Sequence, residues 1–474
     1  MGKVVGHKHR WWILVAVGLF TFMSTLDGSI VNIALPIISD DLGVNMNQAE
    51  WVVSVYLMEI CVFLLFFGKV GDSIGKIKIF KIGTLVFVFG SFLCGIPGSL
   101  PLLLVARVIQ AIGASMTMAT NNGIITEIFP FEERGRALGL MGSFVSLGAI
   151  AGPGLGGIIL AHFSWSYIFW INVPVGIVTI LFGWYLLPKS EIKTHQKIDV
   201  GGFLLFGLFI CLFFGGIFIG QEIGFNSIVV WLMLVLSVVS IISFYYYEKR
   251  QEVPLVQFEL FHNQLFTISL ITAMLIFVTN FFSNVVTPFY LQEVRGLNPS
   301  MTGLLMMIYP VIMVIGAPIS GYFTDKKGPH IVTLLGLITI TIAQMSYLLL
   351  NQQTTLWLFG MIMVLVGIGN AMFGAPNNTI IMSSVEKKDL GVAGSMNALA
   401  RNFGMIVGVT LSTTVLYQSM SYKMSEKVTG YVADRPDVFI YGMHVTYIMA
   451  VCICLFATLL TIFRLKKSKK GTNS

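Results

Sequence analysis

The chain has 474 residues, 56% hydrophobic and 11% charged, with a mean hydropathy of +0.84 and a formal net charge of +7. Soluble domains carry roughly 25% charged residues, and no polar stretch here is long enough to form a separate soluble domain. The composition excludes an ordinary soluble enzyme and places the chain among all-α polytopic membrane proteins.

Apolar runs of about 17–25 residues read as membrane spans. They begin near Trp11, Trp51, Phe80, Leu102, Ala137, Tyr167, Gly202, Ile228, Thr267, Gly303, Ile331, Leu356, Val392 and Tyr441, fourteen in all. The first follows Lys3, Lys8 and Arg10, like the basic start of a signal peptide. It is long, carries Asp27 and shows no small-residue cleavage pattern, so it reads as a retained span.

Basic residues set the expected orientation. With the N-terminus inside, 23 of the 29 Lys and Arg fall on the cytoplasmic side, including Lys76, Lys78, Lys81, Arg134, Arg136, Lys326, Lys327 and a tail from Arg464 to Lys470. Arg295, Lys423, Lys427 and Arg435 fall outside, and Arg107 and Arg401 within spans. Both termini are thus expected to be cytoplasmic. The +7 charge records topology rather than a nucleic-acid partner. The five cysteines, Cys61, Cys94, Cys211, Cys452 and Cys454, all lie in apolar spans without metal-ligand spacing, and read as packing residues.

In the first span, Leu26-Asp27-Gly-Ser-Ile-Val-Asn32-Ile-Ala-Leu-Pro36 places Asp27 about 16 residues along the helix. At about 1.5 Å per residue that is roughly 24 Å from the inner face. A carboxylate in the outer third of the hydrocarbon is costly and faces a cavity or a partner; the other reading is a neutral or paired structural Asp. Span two carries Glu59 near mid-membrane with no cation adjacent in sequence. That suits a proton carrier, a contact for cationic substrates, or both, beside a structural role. It ends in Gly68-Lys-Val-Gly-Asp72-Ser-Ile-Gly75.

Arg107 lies about seven residues into span four, in Leu104-Val-Ala-Arg-Val-Ile-Gln110-Ala-Ile-Gly113. Its depth resembles that of Asp27, which makes a charge pair, a proton-gated switch or a static helix tie the readings to test. Span five reads Gly148-Ala-Ile-Ala-Gly152-Pro153-Gly154-Leu-Gly156-Gly157. Glycines four apart let another helix approach closely, and Pro153 loosens the backbone ladder.

In span nine, Asn280, Asn284 and Thr287 fall at i, i+4 and i+7 near Phe281, Phe282 and Tyr290, a stripe that lines a cavity or packs on a neighbour. Gly321-Tyr-Phe-Thr-Asp325-Lys-Lys-Gly328 repeats the G-x3-D-x2-G frame of 68–75 after 253 residues. Asp72, Gly75, Asp325 and Gly328 are expected to latch an inward gate through helix-end and salt-bridge contacts. Arg401, nearer the cytoplasmic side, reads as structural or gating. Loops are expected to be short except at 188–200 and 248–266 inside and about 417–440 outside, the last read as a solvated loop with a surface helix as the alternative.

The repeat extends to Gly113 and Asn121-Asn122, which recur as Gly369 and Asn377-Asn378 at an offset of 256. Duplicated halves of this kind are common in secondary transporters. The surplus between Gly201 and Tyr247 fits two inserted spans. The expected organisation is a six-helix bundle over 1–190, two inserted helices and linkers over 191–260, and a second six-helix bundle with a basic tail over 261–474.

These residues resemble the major facilitator superfamily, specifically its fourteen-span drug:proton antiporters. Leu26-Asp27 to Pro36 is similar to that family's first-span motif, with Ser29 where Thr is usual. The 68–78 segment resembles the loop two-three signature, although Ser73 replaces Arg and Ile77 a basic residue. Arg107, Gln110 and Gly113 match the span-four motif, Ala111 standing where Gly is common. Gly148 to Gly157 matches the span-five antiporter motif, and Tyr290-Leu-Gln292, Pro310 and Arg401 fit the second half.

The resemblance implies a major facilitator fold, export of lipophilic and often cationic drugs from the cell membrane, and proton coupling at Asp27 and Arg107. Glu59 departs from the family pattern and is added to both the coupling and the substrate sets. Asn32, Gln110, Asn280, Asn284 and Tyr290 are the other candidate substrate contacts, in a cavity expected between the halves. Gating is expected at Gly152, Pro153, Gly156, Gly157 and Arg401 with the four G-x3-D-x2-G residues. No cofactor or metal is expected. The rival is a same-fold exporter of one metabolite, lipid or siderophore. An intramembrane enzyme finds no zinc-ligand cluster, nucleophile–base pair or nucleotide loop to support it.

Overall fold

A computed structural model describes residues 7–188, 199–252, 254–386, 390–432 and 435–471. Among the described residues fourteen helices of fifteen or more residues carry the chain, and no strand occurs. The first eight are α1 (His7–Leu42), α2 (Trp51–Ile74), α3 (Lys76–Cys94), α4 (Leu100–Ile128), α5 (Phe131–His162), α6 (Asn172–Leu186), α7 (Val200–Ile223) and α8 (Ile228–Glu248). The rest are α9 (Gln264–Phe289), α10 (Pro299–Lys327), α11 (Pro329–Ser346), α12 (Leu356–Ser383), α13 (Leu390–Met424) and α14 (Pro436–Gly471). In hydrocarbon the backbone must satisfy its own hydrogen bonds, and long apolar windows therefore close into helices.

Thirteen segments among the described residues are long and apolar enough to cross a bilayer. One of them joins the single turn Tyr167–Trp170 to α6, as Tyr167–Leu186. The span expected from Ala137 is the 32-residue helix α5, which stands outside that count. One loop is shorter than expected: α13 continues through Tyr417 to Met424, so the loop placed at about 417–440 begins after the helix.

The described residues form two units. One holds those up to Val256 except Asn45–Asn47; the other holds these three and everything from Gln257 onward. The expected boundary between 190 and 191 lies outside the described residues, and α7 and α8 group with the first unit. In that unit α1 packs on α5, α4 on α2 and α3, α7 on α8, and α2 meets α7. In the second, α9 packs on α13, α12 on α10 and α11, and α14 on α9, α11 and α13.

Small residues make these crossings close. A Cβ on Gly113 of α4 would lie 2.7 Å from the Gly83 carbonyl of α3, and one on Gly336 of α11 would lie 2.9 Å from the Gly369 carbonyl of α12. On α5, a Cβ at Gly148 would lie 2.5 Å from the Phe22 carbonyl of α1. On α13, one at Gly404 would lie 2.5 Å from the Met274 carbonyl of α9. The G-x3-D-x2-G frames end alike too. Gly75 (φ 104°) donates to the Gly71 carbonyl at 3.0 Å, and Gly328 (φ 81°) to the Thr324 carbonyl at 2.9 Å. Both torsions lie where a side chain would be strained.

Candidate functional site

The first unit buries a charge cluster where α1, α2, α3, α4 and the start of α6 converge. Asp27 is 0% exposed and Arg107 1%, and Gln110, Asn172 and Ser91 are buried with them. Three donors converge on one carboxylate. Arg107 Nη1 donates to Asp27 Oδ2 at 2.8 Å, and Gln110 Nε2 and Asn172 Nδ2 each donate to Oδ1 at 2.9 Å.

The remaining guanidinium contacts reach a neighbouring helix and the next turn of its own. Arg107 Nε donates to the Val52 carbonyl of α2 at 2.9 Å, and Nη1 to Gln110 Oε1 at 2.5 Å. Its carbon stands 4.1 Å from the centre of the Tyr56 ring and 5.4 Å from that of Phe169. Gln110 Nε2 also donates to Ser91 Oγ on α3 at 2.8 Å. Arg107 and Gln110 stand at i and i+3, so one helix face supplies both. In this buried setting Asp27 is linked to five helices through one guanidinium and two amides.

The structure brings together Asp27, Arg107 and Gln110, three residues to which the sequence points. The sequence does not single out Asn172, Ser91 and Tyr56. Asn172 carried a weak signal, an amide inside the apolar run Trp170-Ile-Asn172-Val-Pro.

Other nominated residues lie elsewhere. Glu59 is half-buried on α2 and has no hydrogen-bond or ion-pair partner among the described residues. Asn32 is buried, and its Nδ2 donates to the Gly28 carbonyl at 3.2 Å while Oδ1 has no partner among the described residues. Asp72 pairs with Lys76 at 2.8 Å, and Lys76 also reaches Glu127 at 2.8 Å, tying the end of α2 and the start of α3 to the end of α4. The Asp325 side chain lies outside the described residues. Gly152 and Gly156 face Ser29 and Ile30 of α1, with Pro153 and Gly157 buried in the same stretch.

In the second unit the polar stripe of α9 is used in side-chain pairing. Asn280 Nδ2 donates to Asn370 Oδ1 at 2.7 Å, and Asn370 Nδ2 returns a bond to Asn280 Oδ1 at 3.2 Å. Asn284 Nδ2 donates to the Asn280 carbonyl at 3.0 Å, and the Tyr290 hydroxyl to the Asn351 carbonyl at 2.8 Å. Arg401 is half-buried without a hydrogen-bond or ion-pair partner among the described residues. Arg464 corrects the sequence reading. It was counted with the basic tail, but α14 buries it fully, and Nη1 donates to Ser269 Oγ at 2.7 Å and Asn377 Oδ1 at 3.0 Å.

Comparison with known proteins places the chain in a family. The Major Facilitator Superfamily profile matches residues 17–409. The riboflavin transporter RibZ of Clostridioides difficile (strain 630) is 33% identical over 471 residues, covering 98% of this chain and 99% of RibZ. Multidrug resistance protein 3 of Bacillus subtilis (strain 168) is 30% identical over 420 residues, covering 88% of this chain and 82% of that protein. The fold agrees with a bacterial homologue of the human lysosomal transporter Spinster, crystallised inward-facing and unoccupied. The TM-score is 0.68 at 16% identity over 97% of each chain. The chain belongs to the major facilitator superfamily and is a membrane transporter, not an enzyme.

Proposed function

We propose that this transporter is a proton-coupled antiporter of the cell membrane, with fourteen spans, cytoplasmic termini and alternating access, exporting lipophilic and often cationic drugs. The observation that carries the coupling is the Asp27 carboxyl holding Arg107, Gln110 and Asn172 at once. Protonation of Asp27 removes the charge that Arg107 pairs with and replaces an acceptor with a hydroxyl donor. Arg107 and its amide partners must then find other acceptors, which repacks α1 against α4 and α6. A proton arriving from outside thereby favours one arrangement, and its release inside restores the other. Asp72, Lys76 and Glu127 act as the latch at the cytoplasmic ends of α2 to α4.

Export of drugs is supported by relatives named for multidrug resistance, such as the Bacillus subtilis protein, and by the α1–α5 crossing at Gly148 and Gly152. A second reading, transport of one specific metabolite, is favoured by the end-to-end likeness to RibZ, which spans 99% of that protein. Everted vesicles loaded with a pH gradient separate the two. Gradient-driven, protonophore-sensitive uptake of ethidium supports drug export. Uptake of riboflavin alone supports the specific reading, and no gradient dependence for either overturns the coupling.

A further inference from the structure

Glu59 is an acidic side chain of the first unit that the Asp27 cluster does not use. It is the ninth residue of α2, about 12 Å along the helix from Trp51 at 1.5 Å per residue. There α2 runs against α7 in opposite directions. Trp51 meets Phe218 with ring centres 5.3 Å apart, and a Cβ on Gly207 would lie 3.1 Å from Val62 Cγ1. Phe63 and Phe66 meet Phe203 at 5.3 and 4.4 Å. Numbers rise along one helix as they fall along the other, so Glu59 comes level with Ile210 and its neighbour Cys211, which is within electrostatic reach of the carboxyl.

Between these ring contacts Ile210 is fully buried, while Cys211 beside it is exposed and Glu59 half-buried. No cationic side chain among the described residues pairs with Glu59. A carboxylate at this depth is costly until a counter-charge reaches it. The neighbouring surface is aromatic, with Phe67 packed on Phe63 and Phe66 at 5.6 and 5.3 Å, and ring faces attract cations. A hard metal ion would need several more oxygen ligands. A bulky organic cation needs one counter-charge and apolar walls.

We infer that the seam between α2 and α7 is a binding site for lipophilic organic cations, with Glu59 as counter-charge and Phe63, Phe66 and Phe203 as ring faces. Gly207 lets α7 come close to α2, Cys211 puts a small side chain beside Glu59, and the inserted hairpin supplies the second wall. The inference rests on the drug-export reading for its purpose, as the place where a cation dissolved in the bilayer first docks. Binding itself is measurable without transport.

The test is equilibrium binding of tetraphenylphosphonium to the purified full-length protein, with neutral triphenylphosphine oxide as control. Wild type is expected to bind the cation in preference to the control. Glu59→Gln is expected to weaken cation binding at least tenfold, and Glu59→Asp to keep part of it. Cys211→Leu, which keeps the charge and puts a bulkier side chain beside it, is expected to weaken it several-fold. Wild-type affinity in both Glu59→Gln and Cys211→Leu overturns the site and leaves drug export standing. Absence of cation binding in the wild type overturns the site too, while drug export is decided separately by the ethidium uptake.

Discussion

Asp27 on α1 and Asn280 on α9 stand 253 residues apart, and Ser91 and Gln344 keep the same interval. Around Asp27 the partners are Arg107 and Gln110; 256 residues further on, those positions hold Met363 and Val366. Asn280 instead exchanges amide bonds with Asn370. Tyr347, where the first unit has Cys94, donates to Met363 Sδ at 3.5 Å and stacks on Tyr447 with ring centres 4.2 Å apart. The crossings are shared, Gly83 with Gly113 and Gly336 with Gly369. One packing frame thus holds an ion pair in one unit and a neutral hydrogen-bonded set in the other. The frame sets where helices meet; the side chains decide whether the buried contact is charged or neutral.

The largest expected effect comes from removing the cation. Arg107→Ala leaves a buried carboxylate without its partner, a loss of about 3–5 kcal/mol. It should appear as a lower melting temperature and a smaller folded fraction in fluorescence-detected size exclusion. Asn280→Ala at the matching neutral position should cost about 1–3 kcal/mol, and equal losses would break the comparison.

Next come the shared crossings. Gly148→Val and Gly404→Val each push a side chain into a facing carbonyl, at about 1–3 kcal/mol for overpacking. Here the two units should respond alike, and a loss confined to Gly148→Val would mean the frame is not common. The Asn pair sharpens the contrast further. Asn370→Leu alone strands a buried amide, whereas Asn280→Leu with Asn370→Leu removes both partners and should recover most of the loss. Melting curves of the single and double variants decide it. The smallest effect is expected for Lys76→Ala, whose partners Asp72 and Glu127 are 47% and 37% exposed. Such pairs contribute about 0.2–1 kcal/mol to stability, so any larger change should appear in transport rate.

The helices were legible because hydrocarbon leaves the backbone few alternatives, and the starts expected from Trp11 to Tyr441 fall within or close to the observed helix starts. Asp27, Arg107 and Gln110 were legible because a charge inside an apolar run is expensive and demands a partner. The roles of Asn172 and Ser91 were not, since an amide or hydroxyl is cheap enough to stand alone in a sequence, and its partner is fixed only by packing. Arg464 was misread because a cation near a helix end looks like a loop residue until the neighbouring helices cover it. Glu59 was visible, but the wall it faces belongs to α7, which lies 150 residues away and has no motif pointing back.

Proton-driven transport by Asp27→Asn in proteoliposomes tests the central claim most directly, with substrate exchange at equal pH measured beside it. The amide keeps the size of the side chain and removes its titration. Accumulation driven by the pH gradient is expected to fall to background while substrate-for-substrate exchange continues. Gradient-driven accumulation at the wild-type rate would contradict the assignment of coupling to Asp27.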